Sequence, residues 1–418
     1  MAFFFKLYVL LNVFLGTSIE NFLGLTVDKT NVFNSIHFRT LPLLIICIFL
    51  ARNKKLFGRE FLMIGICFIS LTISLLMNKS SMFAVMINNT IEPILLLCVL
   101  RNCDYRLFVK KTLLIFFIIE CTVACYEVMT KQILFADLSH MAKNNIEYMM
   151  ESEMRAFSLH GHPLQNAFLV SILSFFFLSA HGKPLYRYGL FSIGFISLLA
   201  FNTRSSIYLM AVIAILFIIR DLRGNQLKGN QKYVILVILL CAISVLIIMM
   251  KNFDFGSRLA YSLSSKDDSS NTRYMLLSII ANLPTKELLW GMTNGIQLIT
   301  NKYAFAAIEN SLANFIVTNG LIYTVCWCIL IYMCLYTVSP NKTRYKYSFI
   351  IFFTLLNANN SLMTDTPIII FYILSLYSLD SLQIKSIITN AKFIRRKRAI
   401  HISTLLYNSK IIKNPSKY

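Results

Sequence analysis

Twelve apolar runs dominate this chain of 418 residues, near 3–19, 38–51, 61–77, 82–100, 112–128, 163–180, 186–202, 205–219, 233–250, 311–338, 346–360 and 366–383. Most approach the roughly 20 residues that an α-helix needs to cross a bilayer; the second is the shortest. Composition agrees, with 57% hydrophobic and 14% charged residues, against about 45–50% and about 25% in a soluble domain. Disorder is excluded, since it needs low hydrophobicity. Lys6 is followed by an apolar stretch with no small-residue cleavage site, so the first run reads as a retained span rather than a leader. The expected fold is an all-α, polytopic integral membrane protein of about 12 transmembrane helices. It has a single transmembrane domain over 1–383, long outward loops at 129–162 and 251–310 containing short helices, and a basic tail at 384–418.

The net charge of +21 would point to nucleic acid in a soluble protein. Where the charges sit argues otherwise. With alternating spans, the N-terminus, the loops 51–60, 101–111, 181–187, 220–232 and 339–346, and the tail hold 27 of the 40 Lys and Arg residues, leaving 13 to the opposite face. Positive charge gathers in cytoplasmic loops, so both termini are expected inside and no nucleic-acid partner is expected. The tail motif Arg395-Arg396-Lys397-Arg398 lies between apolar residues and fits an anionic lipid surface.

Nine of the ten cysteines lie in apolar runs and Cys103 lies in a basic loop, so they read as small buried hydrophobes rather than a disulfide framework. No His/Cys set has zinc spacing, and no metal is expected. Within 251–310, Ser270-Asn271 can cap a helix over Thr272–Leu283 that Pro284 stops. Trp290 follows in a Leu-Leu-Trp-Gly turn suited to headgroup level. No internal repeat relates the two halves, which counts against many transporter folds.

Four outward arginines stand out: Arg155, Arg204, Arg258 and Arg273. A guanidinium fork suits phosphate oxygens, although an arginine at a span end can also simply snorkel. Arg204 is the strongest, because the connection 203–204 is too short for a solvated loop and it sits on the face with less positive charge. Glu309 precedes Asn310-Ser311 at the head of the tenth run. A carboxylate there is either a favourable charge at a helix N-terminus or a general base at the membrane surface. His160 and His162 flank Gly161 with no third ligand nearby, so substrate contact or plain surface placement fits better than metal. Glu92, Glu120 and Glu127 lie in or near spans; the last two, seven apart, share a helix face as cavity lining or as a structural buried pair.

These residues resemble, in order and placement, the O-antigen polymerase and ligase superfamily of bacterial envelope glycosyltransferases. Three motifs carry the resemblance, over roughly 150–330: Arg155-Ala-Phe-Ser with Gly161-His-Pro; Asn202-Thr-Arg-Ser-Ser206; and the long loop with Ser257-Arg258, Arg273, Trp290-Gly291, Glu309-Asn310-Ser311 and then Asn319-Gly320-Leu321. In the ligase pattern a histidine commonly stands where Glu309 stands, which favours a polymerase. The resemblance implies an inverting GT-C-type enzyme of the bacterial inner membrane. It would join undecaprenyl-diphosphate-linked oligosaccharide repeat units into O-antigen or capsular polysaccharide, with no cofactor. Arg155, Arg204, Arg258 and Arg273 would bind the diphosphate, Glu309 would be the base, and His160, His162 and Asn310 would contact sugar. A chain-length regulator and a flippase are candidate protein partners. The competing expectations are an O-antigen ligase and a lipid-linked oligosaccharide flippase, the latter disfavoured by the two unequal outward loops.

Overall fold

The computed structural model describes residues 1–16, 19–20, 23–24, 37–52, 65, 69, 72, 87–102, 104–135, 155–180, 183–224, 229–253, 255–256, 268–303, 310–339, 342–359, 362 and 367–379, with backbone alone at 87, 268–274, 334, 337 and 342–344. The described residues are 84% helical and contain no strand. The helices are α1 (Ala2–Phe14), α2 (Leu41–Arg52), α3 (Glu92–Asn102), α4 (Arg106–Thr130), α5 (Pro163–Ser179), α6 (Pro184–Ala200), α7 (Arg204–Arg223), α8 (Gly229–Asn252), α9 (Asp268–Ala281), α10 (Thr285–Trp290), α11 (Gly295–Tyr303), α12 (Ser311–Val338), α13 (Lys342–Asn357) and α14 (Ile368–Leu379). Short 3-10 and π turns over Phe38–Thr40 and Ile87–Ile91 lead into α2 and α3. Four helices are long and apolar enough to cross a membrane: α4, α7, α8 and Ser311–Met333 of α12. The helices α1, α5, α6 and α14 are apolar but shorter. The third apolar run, 61–77, falls almost entirely outside the described residues.

Helix starts follow local chemistry. Pro163 and Pro184 open α5 and α6, where the missing N–H costs nothing and the fixed φ suits a first turn. Asn310 caps α12 by accepting the Ala313 amide at 2.9 Å. The helix expected over Thr272–Leu283 begins four residues earlier, at Asp268, so Ser270 and Asn271 lie within it. An acidic residue type is favoured at a helix start, which accounts for the shift.

The bundle is organised around α14. All twelve of its residues are buried, as expected of a helix that is hydrophobic all round. It packs on α3, α4, α5 and α12. Phe352 stacks on Tyr372 at 4.4 Å, and Phe116 meets Phe371 at 5.0 Å. The Tyr372 hydroxyl has a partner in Ser348, at 2.7 Å, so burial strands no polar atom there. By contrast, α8 has a mean hydropathy of 3.1 with only 6% of its apolar window buried, the pattern of a helix bathed in lipid. Cys47, Cys98 and Cys121 are buried, whereas Cys241 and Cys326 are on the outside of the bundle.

Contacts sort the connecting segments into two ends. At one end Phe5 stacks on Tyr105, Lys6 lies over Phe108, and the Tyr105 amide donates to the Tyr377 hydroxyl at 2.9 Å. Arg187 there pairs with Asp221 at 2.9 Å, both nearly buried, and the Tyr188 hydroxyl donates to the same carboxylate at 3.2 Å. Arg220 completes the cluster from its exposed side. The polar centre described next occupies the other end.

Candidate functional site

The C-terminus of α6 is the gathering point. A helix end leaves its last carbonyls without intrahelical partners. Here the Ala200 carbonyl accepts the Ala156 amide at 3.1 Å, and the Leu199 carbonyl accepts the Gly256 amide at 3.2 Å. Three arginine-bearing segments are thereby tied to two adjacent residues. Arg155 precedes Ala156, Gly256 stands two residues before Arg258, and Arg204 opens α7 after a turn at Asn202 with φ 54°. Arg155 is nearly buried and Arg204 half-buried. A cation at the first residue of a helix sits at the positive end of the macrodipole, so the pair favours an anion.

The turn carrying Arg155 is anchored from below by α4. The Glu127 carboxylate accepts the amides of Phe157 at 2.7 Å, Ser158 at 2.9 Å and Leu134 at 2.9 Å. Glu120 accepts the Leu159 amide at 3.4 Å, and Asn166 donates to the Phe157 carbonyl. Each of these bonds offsets part of the cost of burying a polar group. Of the two roles open to this glutamate pair, the described contacts are structural: backbone amides of the turn before α5 and, for Glu127, of Leu134 after α4.

The two histidines differ sharply. His160 is fully buried, with its ring edge-on between Phe116 and Phe371 at 5.6 and 5.5 Å, and with Nε2 3.3 Å from the Val13 carbonyl. Burial, reinforced by the charge of Arg39, pushes its pKa down to about 3, so the ring is neutral. His162 is partly exposed and caps α5, accepting the Leu164 amide at 3.2 Å. Asn310 is likewise a helix cap, as above. Arg258 and Glu309 lie outside the described residues, and Arg273 is placed only by its backbone, in the second turn of α9.

A second polar group adjoins the turn; the sequence pointed to Glu92 within it but not to Arg39 or Glu20. Arg39, 3% exposed, pairs with Glu20 at 3.1 Å and donates to the Leu15 carbonyl at 2.9 Å; His37 also meets Glu20, at 3.2 Å. Glu92 accepts the Tyr8 hydroxyl at 2.9 Å. Asn12, Thr40, Asn88 and Asn89 complete a void of about 10 Å³, the size of one water. Gly16 joins the two groups: its Cα lies so close to the His160 backbone that a Cβ would come within 2.7 Å of the His160 Cα. Arg39 shares with Arg155 and Arg204 the one sequence signal for this group, an arginine in an outward segment.

The glycine motifs of the long loop meet each other. α10 ends at Trp290, and Gly291, at φ 84°, lies against Gly320, where α12 breaks at φ 84° and ψ 163°. The Met292 amide donates to the Val317 carbonyl at 2.8 Å, one turn before that break. Leu276 and Ile299 pack on Ala313 and Val317, which seats α9 and α11 on the first half of α12.

Searches against protein-family models, curated proteins and solved structures each find no match to this chain. Its apolar helices mark it as an all-helical membrane protein.

Proposed function

We propose that this protein is an inverting glycosyltransferase that polymerises undecaprenyl-diphosphate-linked repeat units, at the outer face of a bacterial inner membrane and with both termini cytoplasmic. The observation that supports it most is the convergence of the Arg155 turn, the Arg204 helix start and the Phe255-Gly256 approach to Arg258 on the end of α6. Arginine-bearing segments gathered at one helix end suit a diphosphate, whose charge grows as it leaves.

In this reading the acceptor sugar hydroxyl attacks the anomeric carbon of the donor. The bond from that carbon to the diphosphate oxygen breaks, the configuration inverts, and the hydroxyl proton passes to Glu309. Undecaprenyl diphosphate leaves with its charge held by Arg155, Arg204, Arg258 and Arg273. The donor sugar already carries its leaving group, so the reaction needs no nucleotide and no cofactor. In this reading His162 and Asn310, at the heads of α5 and α12, contact sugar. His160 faces aromatic rings instead, and its part is to hold the turn against α1.

The test is the glycan pattern of a deletion strain. A polymerase mutant displays single repeats without polymer. No surface repeat at all would identify a flippase, and long lipid-linked polymer never passed to its final acceptor would identify a ligase.

A further inference from the structure

We infer that Glu127 is a positioning residue that sets Arg155 for anion binding, an inference that rests on the diphosphate reading above. The geometry is specific. One carboxylate joins both ends of the outward loop: Oε1 takes the Leu134 amide just after α4, and Oε2 takes the Phe157 and Ser158 amides just before α5. Arg155 stands two residues from the first of those amides, and Ala156 is fixed on its other side to Ala200.

Three features separate this from ordinary loop fixation. Ser158 holds a φ of 46°, a left-handed conformation that a non-glycine residue keeps only when its surroundings impose it. The turn is fastened to three different helices, through Glu120 and Glu127 of α4, Asn166 of α5 and Ala200 of α6. Last, the fastener is a fully buried acid, a costly choice inside a membrane protein. A carboxylate accepts at both oxygens, whereas an amide accepts at only one. Glu127 can therefore hold Leu134 and Phe157 together, and glutamine at this position cannot.

The experiment has two arms, run on the full-length protein in detergent or in cells. The first measures amide hydrogen exchange over 155–161 for wild type, Glu127→Gln and Glu127→Asp. Glu127→Gln is expected to speed exchange at Phe157 and Ser158 by about tenfold or more, since an amide bond to a buried charge is lost, while α4 and α5 stay protected. Glu127→Asp is expected to fall between. The second arm compares polymer yield in Glu127→Gln, Arg155→Ala and the double variant. If Glu127 acts through Arg155, the double variant polymerises no worse than Arg155→Ala alone. Unchanged exchange in Glu127→Gln overturns the inference, and so do losses that multiply in the double variant, which mark a separate structural role. Arg155→Ala with full polymer also overturns it. The diphosphate reading is judged separately, by the deletion strain and by the Arg204 and Arg273 variants, so the two failures are distinct.

Discussion

The Ala156 amide and the Ala200 carbonyl, 44 positions apart, form a 3.1 Å hydrogen bond that places Arg155 beside the segment leading to Arg204. A diphosphate held at this end of the bundle would need the positive charge that such arginines carry. Arg204→Ala and Arg273→Ala are each expected to cut polymer yield sharply, by about tenfold or more if a charge-assisted hydrogen bond is lost, at unchanged protein level. Lysine at either position is expected to restore part of it, since the charge remains and the fork does not. Full-length polymer from both alanine variants on a glycan gel would end the phosphate-clamp idea.

Glu309→Gln is expected to leave single repeats and almost no polymer, because loss of a general base costs roughly 10²–10⁴ in rate. Asp or His there should retain some activity. Asn310 already caps α12 through the Ala313 amide, so the capping role does not require Glu309. Normal polymerisation by the Gln variant would move the base elsewhere. His162 is then the better choice, since His160 is sealed among aromatic rings.

His160 makes stability depend on pH. Its folded pKa, about 3, lies below the ordinary histidine value of 6.5. Above pH 6.5 both folded and unfolded chains hold a neutral ring, and nothing changes. Between 6.5 and 3 only the unfolded chain takes the proton, so the folded state loses stability as pH falls. His160→Gln should flatten the fall of thermal midpoint over that window relative to wild type. Parallel curves for the two proteins would show that another group governs it.

Gly291 and Gly320 face each other, with the Gly320 amide 2.8 Å from where a Gly291 Cβ would be. Both have φ of 84°, where an L side chain is strained. Gly320→Ala and Gly291→Ala should each cost about 1–3 kcal/mol in stability. Gly189→Ala is the control. It lies in α6 with open space around it, so alanine should stabilise by roughly 0.5–1 kcal/mol. Thermal unfolding in detergent reads all three, and equal midpoints would refute the interlock.

Reporter fusions test orientation. An enzyme active only outside the membrane should work when fused at Ser265 and fail at Asn225. The reverse pattern would invert the assignment and place the arginine site on the cytoplasmic face.

Helices were the legible part of this chain. Pro163, Pro184 and Asn310 mark helix starts through local chemistry, and the structure begins α5, α6 and α12 there. The seven-residue spacing of Glu120 and Glu127 placed them on one face, but not their partners. Leu134 is seven positions from Glu127, but the other partners are backbone amides 30 to 39 positions away, which no local pattern encodes. The outward position of Arg39 is legible in the sequence, but its pairing with Glu20 follows from how α1 and α2 pack. The turn signalled by Gly161 and Pro163 is present, but His160, expected as a substrate contact or a surface residue, is buried, because the rings of Phe116 and Phe371 that enclose it come from distant helices.

The burial of α14 on every side has a consequence for biogenesis. This segment leaves the ribosome after every helix that surrounds it, including α3, α4, α5 and α12. Those helices enter the membrane around a vacancy, with Phe116, Phe176 and Phe352 facing lipid or one another until the last apolar segment slots between them. Insertion and folding are therefore separate events in time. A chain halted before residue 366 would lack the helix that fills the centre of the described bundle.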